Sequence, residues 1–344
     1  MFWNRYHVIF FCSSSVDEVW IRSTALCLSK FKVEICIIIY HEKLDEILSF
    51  YKSTGIKVIF ETSLRRLNKF SAKILVSAST NVKKSVFSSK IKYLVHMPHS
   101  LVSLHGVYPH DAFDSYNTLF ACTPYHIKEF KKIVENRNIC NARIFETGYG
   151  KLDILLEGVS QSSNKPLQSK HILIAPSWGN GNILETIGYD LILKLLKQNY
   201  SITLRPHSMF YLDKKNYLKP FLNLKHKNFK IEQFSDSHAI YTSELLITDF
   251  SGIAFEYVCI RNRKIIFVDT IPKILNTEFE SYNLPLFESA YRDVFGLVVP
   301  CELKIILKAI EKEYAISSPF SEFLFNRGKC GVIASHQIME LLES

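Results

Sequence analysis

The 344-residue chain has eight cysteines and no C-x-x-C pair. A zinc site or a disulfide framework is therefore not expected. Cys12, Cys36 and Cys259 lie inside apolar runs and read as buried, reduced thiols. No apolar run approaches the roughly 18 residues that a transmembrane helix needs. A secretory leader is not expected either: Val8–Cys12 is short, and three serines and Asp17-Glu18 follow it. Internal repeats and low-complexity tracts are missing, which excludes solenoids and disordered arrays. No Asp-x-Asp pair occurs, so neither a metal nor a cofactor is expected. These absences point to a cytoplasmic protein, with a peripheral place on the inner face of a membrane as the alternative.

What is present is a globular composition. Hydrophobic residues make up 47% and aromatics 13%, and the length suits two domains that each bury a core. The formal charge is +9, which fits nucleic acid, an acidic substrate or an anionic membrane surface. Nucleic acid is not expected, because the basic residues are not interleaved with aromatics in a recognisable motif. Lys128, Lys131 and Lys132 share one predicted helix and are a candidate patch for the inner membrane surface or a polymer. A solvated helix face is the plainer reading.

Short apolar runs alternate with amphipathic stretches. Strands are expected at Tyr6–Cys12, Val33–Tyr40, Lys57–Phe60, Ile74–Ser77, Tyr93–His96, Thr118–Cys122 and Arg143–Glu146. A polar linker follows at 160–170, SQSSNKPLQSK. Strands restart at His171–Ala175, Ile202–Arg205, Leu245–Thr248, Lys264–Asp269 and Gly296–Val299. Helices are expected at Val16–Lys30, Pro124–Glu135, Ile183–Gln198, Ile253–Arg261 and Cys301–Tyr314. The pattern implies an α/β protein of two doubly wound, Rossmann-like domains facing each other across a cleft. The expected boundaries are 1–160, 171–325, and a C-terminal helix at 326–344 that crosses back. The run FSEFLF at 320–325 is expected to pack on that helix, with docking on lipid as the alternative.

Polar clusters fall at the predicted carboxyl ends of strands, where such sheets bind ligands. Leu245–Thr248 ends at Asp249 and opens through Ser251-Gly252 into a helix. The first N–H groups of a helix lack partners and carry partial positive charge, so this junction suits a phosphate. Thr248, Ser251 and Gly252 are its candidate contacts, and Asp249 is a candidate N-cap or contact. Ser177, in Ala-Pro-Ser-Trp-Gly at 175–179, is a further candidate. Arg205 and His207, in Arg-Pro-His-Ser, can fork a phosphate and stabilise charge on a leaving group. Arg292 precedes the last strand. His96 and His99 close Tyr93–His96 and suit a general base and its orienting partner, or a pair of loop histidines. The run Thr147–Asp153, TGYGKLD, has two glycines that suggest a tight turn with close backbone approach; alone it reads as a surface turn.

Taken in order, IAPSW at 174–178, LRPHS at 204–208, LLITDFSGIAFEYVCIRNRKIIF at 245–267 and TGYGKLD at 147–153 resemble the CDP-glycerol glycerophosphotransferase family. That family includes teichoic-acid primases, polymerases and capsule-synthesis relatives. The resemblance covers roughly residues 90 to 340. It implies a GT-B-like fold and transfer of a polyol phosphate from a CDP-activated donor to a hydroxyl of a glycan or lipid-linked acceptor. It also implies a base at His99 or His96, and donor phosphates served by His207 and held by Thr248, Ser251 and the N–H of Gly252. There are departures. The usual His-Gly-Thr followed by lysine becomes HMPHSLVSLHG, the second serine of Asp-Tyr-Ser-Ser becomes Gly252, and Tyr-x-x-x-Arg-Gly is absent after Asp269.

Two other functions compete. One is a transferase of the same fold that uses a nucleotide sugar, with attack at a carbon of that donor and not at phosphorus. The other is a non-catalytic subunit of an envelope-polymer assembly, which the intact histidine, Arg-Pro-His and Thr-Asp-x-Ser motifs argue against.

Overall fold

The computed structural model describes residues 4–41, 43–88, 90–162, 170–233, 237–261, 263–313 and 323–344. Most of the expected linker, Tyr314 and Phe320–Glu322 lie outside the described residues. The chain divides into two units. The first comprises Met1–Leu156, Leu275–Leu284 and Phe323–Ser344; the second comprises Glu157–Ile274 and Pro285–Glu322. The boundaries thus differ from a simple succession of domains. A ten-residue excursion and the final helix both group with the first unit.

In the first unit seven parallel strands form one sheet: β1 (Val8–Cys12), β2 (Ile35–Tyr40), β3 (Lys57–Glu61), β4 (Ile74–Ser77), β5 (Tyr93–His96), β6 (Thr118–Ala121) and β7 (Arg143–Glu146). Their order is β3-β2-β1-β4-β5-β6-β7. In the second unit the strands are β8 (His171–Ile174), β9 (Ser201–Leu204), β10 (Phe229–Ile231), β11 (Leu245–Thr248), β12 (Lys264–Asp269) and β13 (Leu297–Pro300). Their order, β10-β9-β8-β11-β12-β13, is the doubly wound arrangement of dinucleotide-binding sheets. All pairings in both sheets are parallel. In each sheet the strand order reverses beside the first strand, between β1 and β4 and between β8 and β11. In doubly wound sheets ligands bind at such a reversal, beyond the carboxyl ends of the strands.

Strands buried on both faces have to be apolar at every position, which is why VIFFC and LLIT were legible as strands. Two cores result. Ile9, Phe11, Ile38, Leu75 and Leu94 anchor the first, and Ile172, Ile174, Leu204, Ile247 and Ile266 the second. Burial of each such side chain is worth about 1.5–3 kcal/mol.

The helices of nine residues or more are α1 (Glu18–Leu28), α2 (Pro124–Arg137), α3 (Gly150–Ser162), α4 (Gly188–Lys197), α5 (Lys215–Asn223), α6 (Ile253–Arg261), α7 (Phe287–Phe295), α8 (Leu303–Glu311) and α9 (Cys330–Glu343). The helix expected from Ile183 starts at Gly188 instead. Asn182 and Asp249 hold residues 181–187 as turns: Leu184 N donates to Asn182 Oδ1 (2.9 Å) and Ile183 N to Asp249 Oδ2 (3.2 Å).

The TGYGKLD segment is not a surface turn; Thr147–Leu152 is buried. Gly148 has φ +98°, and a Cβ there would stand 2.5 Å from the Phe325 carbonyl oxygen. Gly150 sits against the carbonyl of Trp20 in α1, with no room for a Cβ. Asp153 accepts from Cys330 N (3.1 Å) and Gly331 N (2.7 Å), capping the start of α9. Phe325 of the FSEFLF run donates its N–H to Cys122 O (2.9 Å) and packs on the first core. No helix among the described residues is long and apolar enough to cross a membrane.

Candidate functional site

At the reversal point of the second sheet, two strand exits are tied together. Thr248, wholly buried at the end of β11, donates its hydroxyl to Ala175 O (2.7 Å) beyond β8. Asp249 follows, also wholly buried. Its Oδ1 accepts from Ser177 N at 2.6 Å and its Oδ2 from Ile183 N at 3.2 Å. Burial pushes this carboxyl above the usual range, opposed by those N–H groups and by the Ser177 hydroxyl. The N-cap expectation for Asp249 is therefore corrected. α6 begins at Ile253, and both Asp249 oxygens hold the β8 loop. An acidic side chain with its oxygens so engaged fixes the frame of the site.

Within that frame Ser251 is half-buried and Gly252 buried, immediately before α6. Arg292 of α7 is 8% exposed and lies over the ring of Phe250, with its guanidinium carbon 3.9 Å from the centroid. Its Nη2 donates to Asp269 Oδ1 (2.9 Å). Its Nε and Nη1 are buried and lack a hydrogen-bond partner among the described residues. Such donors are costly to bury unless a ligand or water meets them. Next to β8, Arg205 is 3% exposed, and its backbone N–H donates to Ile174 O (2.8 Å). His207 is half-buried. Its Nδ1 accepts from Met209 N (3.2 Å), so in the neutral ring the proton sits on Nε2, the tautomer that donates. The Trp178 and His207 ring centroids are 6.1 Å apart.

One group near this site was not read from the sequence. Lys273, in the loop after β12, places its Nζ 4.6 Å from the centroid of Trp178.

In the first unit the two candidate histidines have different surroundings. His96 ends β5, is wholly buried and meets Phe113 and Tyr116 edge-on, each at 5.0 Å. Burial holds its pKa well below the ordinary value, reinforced by His99 and His126. His99 is half-buried. Its Nδ1 lies 2.7 Å from Ala78 O, beyond β4. A carbonyl only accepts, so Nδ1 carries the proton and Nε2 presents a lone pair. The Tyr108 hydroxyl is 3.3 Å from that Nε2. The loop is held by Tyr149, whose hydroxyl donates to His99 O (3.2 Å) and accepts from Trp20 Nε1 (2.8 Å).

His105, in the same motif, is structural. Its Nδ1 is 2.7 Å from Glu129 Oε1 and its Nε2 is 2.9 Å from Leu284 O, with both side chains buried. Among the described residues there is no group of three or more His, Cys, Asp or Glu that could hold a metal ion.

Residues 109–271 match the family described as CDP-Glycerol:Poly(glycerophosphate) glycerophosphotransferase. The chain is similar to that family. The resemblance read from IAPSW, LRPHS and LLITDFSG is borne out by this match. The teichoic acid poly(glycerol phosphate) polymerase of Staphylococcus epidermidis is 28% identical over 197 residues, which is 50% of this chain and 26% of the relative. The teichoic acid glycerol-phosphate transferase of Staphylococcus aureus is 24% identical over 175 residues, 45% of this chain and 42% of the relative. The chain therefore spans less than half the length of these relatives. Among solved structures, the wall teichoic acid polymerase TagF matches with TM-score 0.61 at 15% identity, covering 98% of this chain and 88% of that one. The UDP-GlcNAc 2-epimerase of Methanocaldococcus jannaschii, in complex with UDP-GlcNAc and UDP, matches with TM-score 0.62 at 16% identity, covering 98% and 99%. The two Rossmann-like units are thus the fold of both, in line with the GT-B-like expectation.

Proposed function

We propose that the chain transfers a polyol phosphate, glycerol or ribitol phosphate, from a CDP-activated donor to a hydroxyl of an envelope glycan or a lipid-linked acceptor, releasing CMP. One observation carries the reading. The β8 and β11 exits, tied by Asp249 and Thr248, lead into the start of α6 with a half-buried serine, while Arg292 presents two buried donors with no partner among the described residues. That arrangement suits a diphosphate. The family match supports CDP as the nucleotide, and TagF has been studied with CDPG.

In this mechanism the acceptor oxygen attacks the phosphorus nearest the polyol. Its proton passes to Nε2 of His99, whose tautomer the Ala78 carbonyl fixes. The bond from that phosphorus to the bridging oxygen breaks, and CMP leaves with the electron pair. His207 Nε2–H, Arg205, Arg292 and the α6 N–H groups, with Ser251, stabilise the charge on the phosphates. His96, wholly buried against Phe113 and Tyr116, takes no part in the step. A well-placed acid or base contributes about 10²–10⁴-fold, and preorganised donors on developing charge give a comparable factor. Lys128, Lys131 and Lys132 of α2 are exposed, as a solvated helix face requires, and are the surface we propose for an anionic membrane if one is met.

The test is nucleotide release by the purified protein, offered CDP-glycerol and CDP-ribitol beside UDP- and CMP-sugars, with a lipid-linked acceptor. CMP from a CDP-polyol, lost in His207→Ala and His99→Gln, is expected. Turnover with nucleotide sugars alone moves the reaction to glycosyl transfer, the reading that the fold shared with a UDP-GlcNAc enzyme keeps in play. No release from any donor brings the non-catalytic subunit forward.

A further inference from the structure

The loop that follows β12 has an inverted exposure pattern. Ile271 is 65% exposed and Ile274 42%, whereas Lys273 between them is half-buried. A lysine normally stays in water and an isoleucine leaves it, so something other than solvation sets this loop. The stem of Lys273 is fixed across the β8 exit: a Cβ on Gly179 would lie 3.0 Å from Lys273 Cβ and 3.3 Å from its Cγ. The ammonium then rests over Trp178, 4.6 Å from the ring centroid.

No carboxylate among the described residues lies within ion-pairing distance of Lys273 Nζ. The acids that bear on it are Glu288 of α7, which is 2% exposed, and Asp249, whose oxygens are engaged by the β8 loop. His207 stands against the same indole. Lys214, which also reaches the Gly179 carbonyl, is occupied by Glu185 and by Asn180 Oδ1. Burial pulls the ammonium down to about 8, with Glu288 and Asp249 opposing. This site thus holds two cations on aromatic rings, Lys273 over Trp178 and Arg292 over Phe250. Both belong to the β12 exit: Arg292 bonds Asp269 at the end of that strand, and Lys273 lies in the loop that follows it.

We propose that Lys273 is a ligand for the outer phosphate of a nucleoside diphosphate donor, acting as a second cation beside Arg292. The inference rests on the donor reading above and adds a residue specific to the second phosphate. Trp178 holds the ammonium by its ring face, which leaves the N–H donors for a phosphate oxygen. Gly179 keeps the approach open, since any side chain there meets the lysine stem.

Calorimetric titration of CDP and CMP into the wild type, Lys273→Met, Lys273→Arg and the distant control Lys219→Met tests it. Lys273→Met is expected to weaken CDP about 10- to 100-fold, the range of a lost charge-assisted contact. CMP, which lacks the outer phosphate, should change less than about threefold. Lys273→Arg should recover most of the loss, and Lys219→Met should bind as the wild type does. Thermal melting should show Lys273→Met as stable as the wild type or more so, since it removes a half-buried charge. Equal losses for CDP and CMP would show that Lys273 only props the Trp178 loop, and an unchanged CDP affinity would remove it from the site; either overturns the proposal. A wild type that binds neither CDP, UDP nor CMP refutes the donor reading itself, an outcome distinct from both.

Discussion

Asp249→Asn isolates the bracket at the base of the proposed phosphate site. The substitution keeps shape and volume. Asparagine still offers one oxygen to Ser177 N, but its amide NH2 then faces the N–H of Ile183, donor against donor. Leaving that buried N–H unsatisfied costs about 1–3 kcal/mol. The remaining bond loses its charge assistance, for about 1 kcal/mol more. Asparagine in turn escapes the desolvation of a buried carboxylate, the effect that pushes Asp249 upward in pKa, and this offsets part of the loss. The net is about 2 kcal/mol. Urea unfolding followed by tryptophan fluorescence reads it directly, since Trp178 adjoins Ser177. With a slope of about 2–3 kcal/mol per molar, the midpoint should fall by about 0.7–1 M. CDP affinity should fall with it, because the β8 loop and the start of α6 lose their common anchor. A midpoint unmoved by Asp249→Asn refutes the bracket. Unchanged stability with lost affinity would return Asp249 to direct contact with the ligand.

Other outcomes follow from the same geometry. His126 is wholly buried and desolvation lowers its pKa to about 4, so between about 4 and 6.5 the unfolded chain binds the extra proton. Stability should therefore drop by up to about 3 kcal/mol as pH falls through that window, and His126→Gln should flatten this part of a denaturation-against-pH curve. Gly150→Ala forces a Cβ into the Trp20 carbonyl and should cost more than about 2 kcal/mol, visible as a lower melting temperature by circular dichroism; a neutral result would mean that α1 shifts at little cost. CDP affinity in the wild type should decline as pH rises from 7 to 9, where Lys273 loses its proton, and Lys273→Arg should remove that decline in the same titrations.

What could be read from the sequence divides along physical lines. Doubly buried strands announce themselves, since Val8–Cys12 and Leu245–Ile247 have no polar position to confuse the pattern. The edge strand Phe229–Ile231 went unread because it is only partly buried and sits among lysines. Helix α7 was also missed, and with it the turn that brings Glu288 and Arg292 to one buried face. The polar exits at 174–178, 204–208 and 245–252 were legible because small and hydroxyl residues break an apolar run. The duty of Asp249 was not, since its partners lie 72 and 66 residues away and only strand pairing brings them near. Lys273 gave no signal at all: a lysine between two isoleucines in a loop looks solvated until its stem is seen against Gly179.

The chain changes unit after residues 156, 274, 284 and 322, and this has a bearing on its biogenesis. During synthesis the first sheet emerges early, yet α9, which Asp153 caps, comes off the ribosome only after the second unit has been made. Until then Ser23 of α1 lacks the close backbone approach of Gly331. The first unit must wait, partly built, for the second to be made. A fragment cut at the apparent linker would leave this unit lacking both its final helix and the 275–284 excursion, so the two units are best expressed as one piece.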